Sequence, residues 1–172
     1  MVKYRRNFIP GGIYFFTVAL LDRQSNWLTK YIHQLTAAFR RVNAIHPYQT
    51  LAMVVLPDHL HTIWKLPEKD ANYSLRWRYI KTFFAKNLQK CGIKIDKNRY
   101  GENILWQRRF WEHTICDEID YARHVDYIHY NPMKHGLVNS ICDWPYSTFH
   151  KYVKEGLLPN NWCGQDNGLN VE

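Results

Sequence analysis

Residues 54–67 read VVLPDHLHTIWKLP and carry His59 and His61 one residue apart inside an apolar run. On a β-strand, residues two apart face the same way, with Cα atoms about 6.6 Å apart. Imidazole side chains can close that gap onto one cation, at about 2.1 Å per bond. Leu60, Thr62 and Trp64 then point to the opposite face. The spacing alone proves little, because nine histidines in 172 residues yield roughly half an H-x-H by chance. The pair becomes a metal platform only if a third ligand and a reacting group stand over it.

The segment DEIDYARHVDYIHYN, residues 117–131, supplies both. It reads as a helix with acidic residues in its first turn, as the helix dipole prefers. Tyr121, Val125 and Ile128 recur at helical spacing and form the expected buried stripe. Asp120, Arg123, His124, Tyr127, Asn131 and Lys134 gather on another side. A helix packed on a sheet should avoid so polar a side unless that side lines a site. Tyr127 and Asn131 are four apart and so neighbours on one face. A phenol nucleophile and an amide-oxygen ligand can then meet above the two histidines. The bland alternative for Tyr127 is a half-buried ring used for packing.

These residues need a scaffold. GGIYFFTVAL (11–20) reads as a strand after a Gly-Gly break. LTKYIHQLTAAFRRVNAI (28–45) has Leu28, Ile32, Leu35, Phe39 and Val42 at helical spacing and stops before His-Pro. YQTLAMVVL (48–56) and HLHTIWKL (59–66) form a hairpin turned at Pro57-Asp58. NYSLRWRYIKTFFAKNLQK (72–90) is a helix with Ser74 as cap, an apolar stripe of Trp77, Ile80, Phe84 and Leu88, and basic residues elsewhere. ILWQRRFWEHTI (104–115) reads as a strand interrupted at Gln-Arg-Arg. Pro132 disfavours helical geometry at Asn131, so the last helix is expected to end or bend there. The stretch 137–172 mixes Pro, Trp and Asn and is expected to wrap loosely. The order β-α-β-β-α-β plus an extra helix predicts an α+β, ferredoxin-like βαββαβ antiparallel sheet. Two helices cover one face, and the added C-terminal helix covers a site on the other. The domain is expected over residues 1–155, with a tail over 156–172.

Lys plus Arg exceed Asp plus Glu, 23 against 15, giving a formal net charge of +8. A basic balance points to a polyanionic partner, with nucleic acid the first candidate. KYRRNF and WQRRFWEH mix phosphate-neutralising cations with aromatic stacking faces. Lys3, Arg5, Arg6, Arg108 and Arg109 are the expected DNA contacts, while at least one of Trp106, Phe110 and Trp111 belongs to the core. Cys91, Cys116, Cys142 and Cys163 form no C-x-x-C pair, which argues against a zinc ribbon. Reduced thiols and a cytoplasmic location are expected. No run of about 18 apolar residues predicts a membrane span.

PDHLHTIWKLP, WQRRFWEHTI, YARHVDYIHYNPMKHGLV and DWPYSTFHKYV occur in that order. Together they resemble the single-tyrosine HUH transposases, whose signature is His-hydrophobic-His on a strand and a catalytic Tyr on a later helix. The chain most resembles the REP-associated tyrosine transposases, over most of residues 3–150. The resemblance implies a metal, Mg²⁺ or Mn²⁺, held by His59, His61 and Asn131, although two imidazoles intrinsically suit a softer ion such as Zn²⁺. It implies Tyr127 as nucleophile, forming a 5′-phosphotyrosine and a free 3′-OH on single-stranded or REP-like hairpin DNA. It also implies that the N-terminal segment helps read a short tetranucleotide at the foot of the hairpin. A monomer or homodimer is expected.

Two other readings compete. A non-catalytic DNA or RNA hairpin binder of ferredoxin-like fold needs only the basic surface and leaves the histidines and Tyr127 without a joint purpose. A histidine phosphoesterase needs two His-x-Thr/Ser motifs, which HLHTIW and HTIC do not supply.

Overall fold

The first strand, β1 (Ile13–Ala19), starts just after Gly11, whose φ of +71° favours glycine. The Gly11 N–H reaches Pro67 O at 3.0 Å, fixing where the chain enters the sheet. The computed structural model describes residues 6–164 and 168–169, so Lys3 and Arg5 lie outside the described residues. After β1 come α1 (Trp27–Lys30), α2 (Ile32–Ile45), β2 (Gln49–Val55), β3 (His59–Lys65), α3 (Tyr73–Lys90), β4 (Trp111–Thr114), α4 (Glu118–Lys134) and α5 (Phe149–Lys154). A single 3₁₀ turn covers Ile141–Asp143.

The four strands lie in the order β2-β3-β1-β4, and each neighbouring pair is antiparallel. This is the α+β, ferredoxin-like arrangement that the element order predicts. The β2–β3 turn closes with Leu56 N–H on His59 O at 2.8 Å, around Pro57 and Asp58.

Strand alternation divides the core into two layers. On one face Tyr14, Phe16, Val18, Leu60 and Trp64 pack against Leu35 and Val42 of α2 and Trp77, Ile80 and Phe84 of α3. Trp64 and Trp77 stack there at 4.4 Å. On the other face Phe15, Ala52, Val54 and Ile63 pack against Val125, Tyr127 and Ile128 of α4. Because β3 is covered on both sides, six of its seven residues are buried, His59 and His61 among them.

Five local expectations change. Helix 28–45 is interrupted at Tyr31, which separates α1 from α2. Asn72, not Ser74, caps α3: its Oδ1 accepts the Leu75 N–H at 3.0 Å, while Ser74 Oγ is taken up by Arg6 at 2.7 Å. Of the strand expected over 104–115, only Trp111–Thr114 joins the sheet as β4. Upstream, Trp106 makes a lone bridge to Leu20, and Lys81 Nζ holds the Gln107 carbonyl at 2.8 Å.

Helix α4 does not stop at Asn131 but runs through Pro132 to Lys134. The loss of one backbone donor at Pro132 is offset by a closed C-terminus. Gly136 N–H bonds to Met133 O, Leu137 N–H bonds to Pro132 O, and Gly136 takes a φ of +65°. The stretch after 137 is also more ordered than expected, because Thr148 pairs with the free edge of β2. Its N–H donates to Met53 O at 2.8 Å and its Oγ1 accepts the Met53 N–H at 2.9 Å. That cover protects an edge strand and seats α5.

Candidate active site

His59 and His61 stand on the α4 face of β3, with ring centroids 5.0 Å apart. Both are buried. Each imidazole is held through Nδ1. His61 Nδ1 lies 2.8 Å from Thr17 Oγ1, because the β1–β3 register sets Thr17 directly opposite His61. His59 Nδ1 lies 2.9 Å from Asp58 Oδ1, and Arg23 Nε holds the other carboxylate oxygen at 2.7 Å. Burial alone raises the Asp58 pKa, but the hydrogen bond and charge of His59 and the charge of Arg23 outweigh it, so the pKa is lowered. An ionised carboxylate only accepts, so His59 Nδ1 carries the proton and Nε2 faces away from Asp58.

The outward atoms are the telling ones. Among the described residues, His59 Nε2, His61 Nε2 and both amide atoms of Asn131 are buried without a hydrogen-bond partner. A buried polar atom left so costs about 1–3 kcal/mol, and such donors are what a bound cation would engage. Burial first, then the positive charge of His59, His135, Lys134 and Arg23, pushes the His61 pKa well below its ordinary value. The ring is therefore neutral, which is the ligating form.

Helix α4 crosses above the pair. The Tyr127 ring meets the His61 ring edge-on at 5.1 Å, and the His135 ring meets the His59 ring at 5.1 Å. Asn131 lies four residues from each, on the same helix face, and is fully buried. Lys134 Nζ lies 4.9 Å from the Tyr127 ring centroid. Two imidazole nitrogens and one amide oxygen suit a divalent cation in type and number, so these residues fit a metal.

The helix is buried more widely than its apolar stripe predicts. Val125 and Ile128 are core, but so are His124, Tyr127, His129 and Asn131, while Tyr121 is only half-buried and Arg123 is exposed. The polar side of α4 lies flat on the sheet instead of lining an open cleft. His124 and Asp120 pair with His113 of β4 and not with His59 or His61. Tyr130 packs beside Gly164, where the Trp162 ring also lies.

Sequence reasoning missed Thr17, Asp58, Arg23 and His135. A carboxylate directly before the first histidine was a local signal for Asp58, and the four-residue step from Asn131 was one for His135. A cavity of about 650 Å³ between α2 and the β2 edge, lined by Leu35, Phe39 and Met53, lies away from this chemistry.

The expected DNA contacts divide. Arg108 and Arg109 are exposed in the loop before β4. Arg6 is engaged within the protein, 4.4 Å over the Phe110 ring and 3.8 Å from Glu112. Trp106 and Phe110 pack on the core, while Trp111 is exposed on the edge strand. Burial first, then the charge of Arg6, lowers the Lys81 pKa to about 8. No described helix is long and apolar enough to cross a membrane.

No family model matches the chain. The REP-associated tyrosine transposase of Escherichia coli is 48% identical over 164 residues, covering 95% of this chain and 92% of that protein. A protein of the same family name from Haemophilus influenzae is 48% identical over 166 residues, covering 95% and 94%. A solved REP-associated tyrosine transposase bound to a REP hairpin superposes with a TM-score of 0.88 at 45% identity, covering 99% of this chain and 96% of that one. With nearly half of its residues shared across almost the whole length of each relative, the chain belongs to the REP-associated tyrosine transposases.

Proposed function

We propose that this transposase cuts and rejoins single-stranded DNA at the foot of a REP-like hairpin, with Tyr127 as nucleophile and a divalent cation, Mg²⁺ or Mn²⁺, held by His59, His61 and Asn131. The carrying observation is the placement of the Tyr127 ring against His61, beside buried imidazole and amide atoms that lack partners. The hairpin in the similar solved relative supports the substrate.

The Tyr127 phenolic oxygen attacks the scissile phosphorus, its proton passes to solvent, and the bond from phosphorus to the 3′ oxygen breaks. The leaving oxygen takes up a proton, so the products are a 5′-phosphotyrosine and a free 3′-OH. The phosphoester is retained in the adduct, and an incoming 3′-OH can reverse the step and join strands. A phenol with a pKa near 10 is a weak nucleophile at neutral pH. Lys134 Nζ sits over the Tyr127 ring, 4.9 Å from its centroid. Arg23 and Lys134 stand near the histidines with positive charge that draws in a phosphodiester. A bound cation supplies Lewis-acid polarisation of that phosphate. Asp58 and Thr17 hydrogen-bond the two imidazoles at Nδ1, which leaves each Nε2 free to receive such an ion.

Exposed Arg108 and Arg109, with Lys3, Arg5 and Arg6 at the N-terminus, supply the phosphate contacts, and Trp111 offers a stacking face. Incubation of the protein with single-stranded palindromic DNA and Mn²⁺ tests the proposal: a covalent protein–DNA species appears on a denaturing gel. A hairpin binder without chemistry gives a complex that dissolves in denaturant.

A further inference from the structure

We propose that His113, Asp120 and His124 form a second cation site, for a divalent transition-metal ion, separate from the site under Tyr127. One ligand atom from each of the three residues lies within 4.8 Å of the others. His113 Nε2 is 2.8 Å from Asp120 Oδ2, and His124 Nδ1 is 3.0 Å from Asp120 Oδ1. The two rings stack at 4.7 Å, only 14° from parallel, and both turn an edge to the same carboxylate. Asp120 and His124 are one helical turn apart on α4, and His113 comes from β4, so the ligands span two elements.

Two imidazoles and one carboxylate form a donor set for Zn²⁺, Ni²⁺ or Mn²⁺. His124 Nδ1 also lies 2.8 Å from the Asp120 carbonyl oxygen. The site is reachable, because the side chains of His113 and Asp120 keep 36% and 21% of their surface exposed.

The Phe15 ring separates the two sites, 4.8 Å from His124 on one side and 5.6 Å from His61 on the other. An ion here therefore does not share ligands with the first. It fastens the first two turns of α4, the helix that carries Tyr127 three residues beyond His124, to a strand of only four residues. The site is a structural clamp on the nucleophile helix.

Equilibrium dialysis of chelator-stripped protein against Zn²⁺ alone counts the sites without reference to activity. The parent is expected to bind two equivalents and the His59→Ala/His61→Ala variant one. In that variant Zn²⁺ should raise Tm by roughly 5–10 °C at about 100-fold above Kd. Adding Asp120→Asn, or His113→Gln at the half-exposed strand position, should abolish both the remaining equivalent and the Tm rise. Circular dichroism of each variant shows whether it is folded, and the two substitutions perturb different elements. A His59→Ala/His61→Ala protein that is folded and binds no Zn²⁺ overturns the proposal, because the three residues are then only a hydrogen-bond network. That result leaves the reading of the tyrosine site standing. Loss of a bound ion only on changing His113 or Asp120 supports the second site and counts against the first.

Discussion

The edge of the Tyr127 ring lies against the His61 ring at 5.1 Å, which brings the proposed nucleophile to the imidazole whose Nε2 has no partner. Around this contact the protein spends polar groups freely. Thr17 and Asp58 hold the histidines from behind.

His59→Ala or His61→Ala should abolish DNA cleavage and leave hairpin affinity within about threefold, because phosphate contacts come from elsewhere. Gel-shift titration beside a cleavage assay reads both. Cleavage at an undiminished rate by chelator-treated parent protein counts against the metal.

Asp58→Asn keeps the turn but replaces the acceptor that fixes His59. Loss of such an outer partner typically weakens a metal site by about 10- to 100-fold. Mn²⁺ dependence of cleavage should shift to higher concentration by that factor, with the maximal rate less affected. An unchanged Mn²⁺ dependence removes Asp58 from the account.

Arg108→Ala combined with Arg109→Ala should flatten the plot of log affinity against log salt by roughly one to two units, with Tm near that of the parent. Arg6→Ala should behave differently, lowering Tm as well as affinity, since Arg6 braces Phe110, Ser74 and the buried Glu112. An unchanged salt slope in the double variant moves the DNA surface elsewhere.

His129 is fully buried, and burial first, then the charge of His150, lowers its pKa to about 4. A folded-state pKa below the unfolded value means that this stabilisation is whole above about pH 6.5 and is lost as pH falls towards 4. His129→Gln should therefore lose less stability on acidification than the parent, by up to about 3 kcal/mol over that window. Urea titrations at pH 7 and pH 4.5 measure it, and equal acid losses in both proteins contradict it.

What could be read in the sequence was local. The β2–β3 hairpin, the shared face of His59 and His61 and the four-residue step from Tyr127 to Asn131 each follow from a period of 2 or 3.6 and a Pro-Asp turn. Thr17 was not legible, because its meeting with His61 depends on pairing across 44 residues. His135 was not legible, because it follows the last turn of α4 and reaches His59 only through the helix continuing past Pro132, where an end or a bend is expected. The apolar stripe misjudged the helix because it counts only hydrophobic residues. His124 and His129 are buried through hydrogen bonds to Asp120 and Thr148.

The central claim rests on one oxygen. Tyr127→Phe keeps the ring that packs on Phe15 and His61, so Tm and hairpin affinity should match the parent while cleavage and covalent adduct vanish. Mass spectrometry of the peptide–DNA conjugate trapped from the parent is the direct measurement. A phosphodiester mapped to Tyr127 is the predicted result; one mapped to Tyr121, Tyr130 or any residue outside α4 contradicts the assignment.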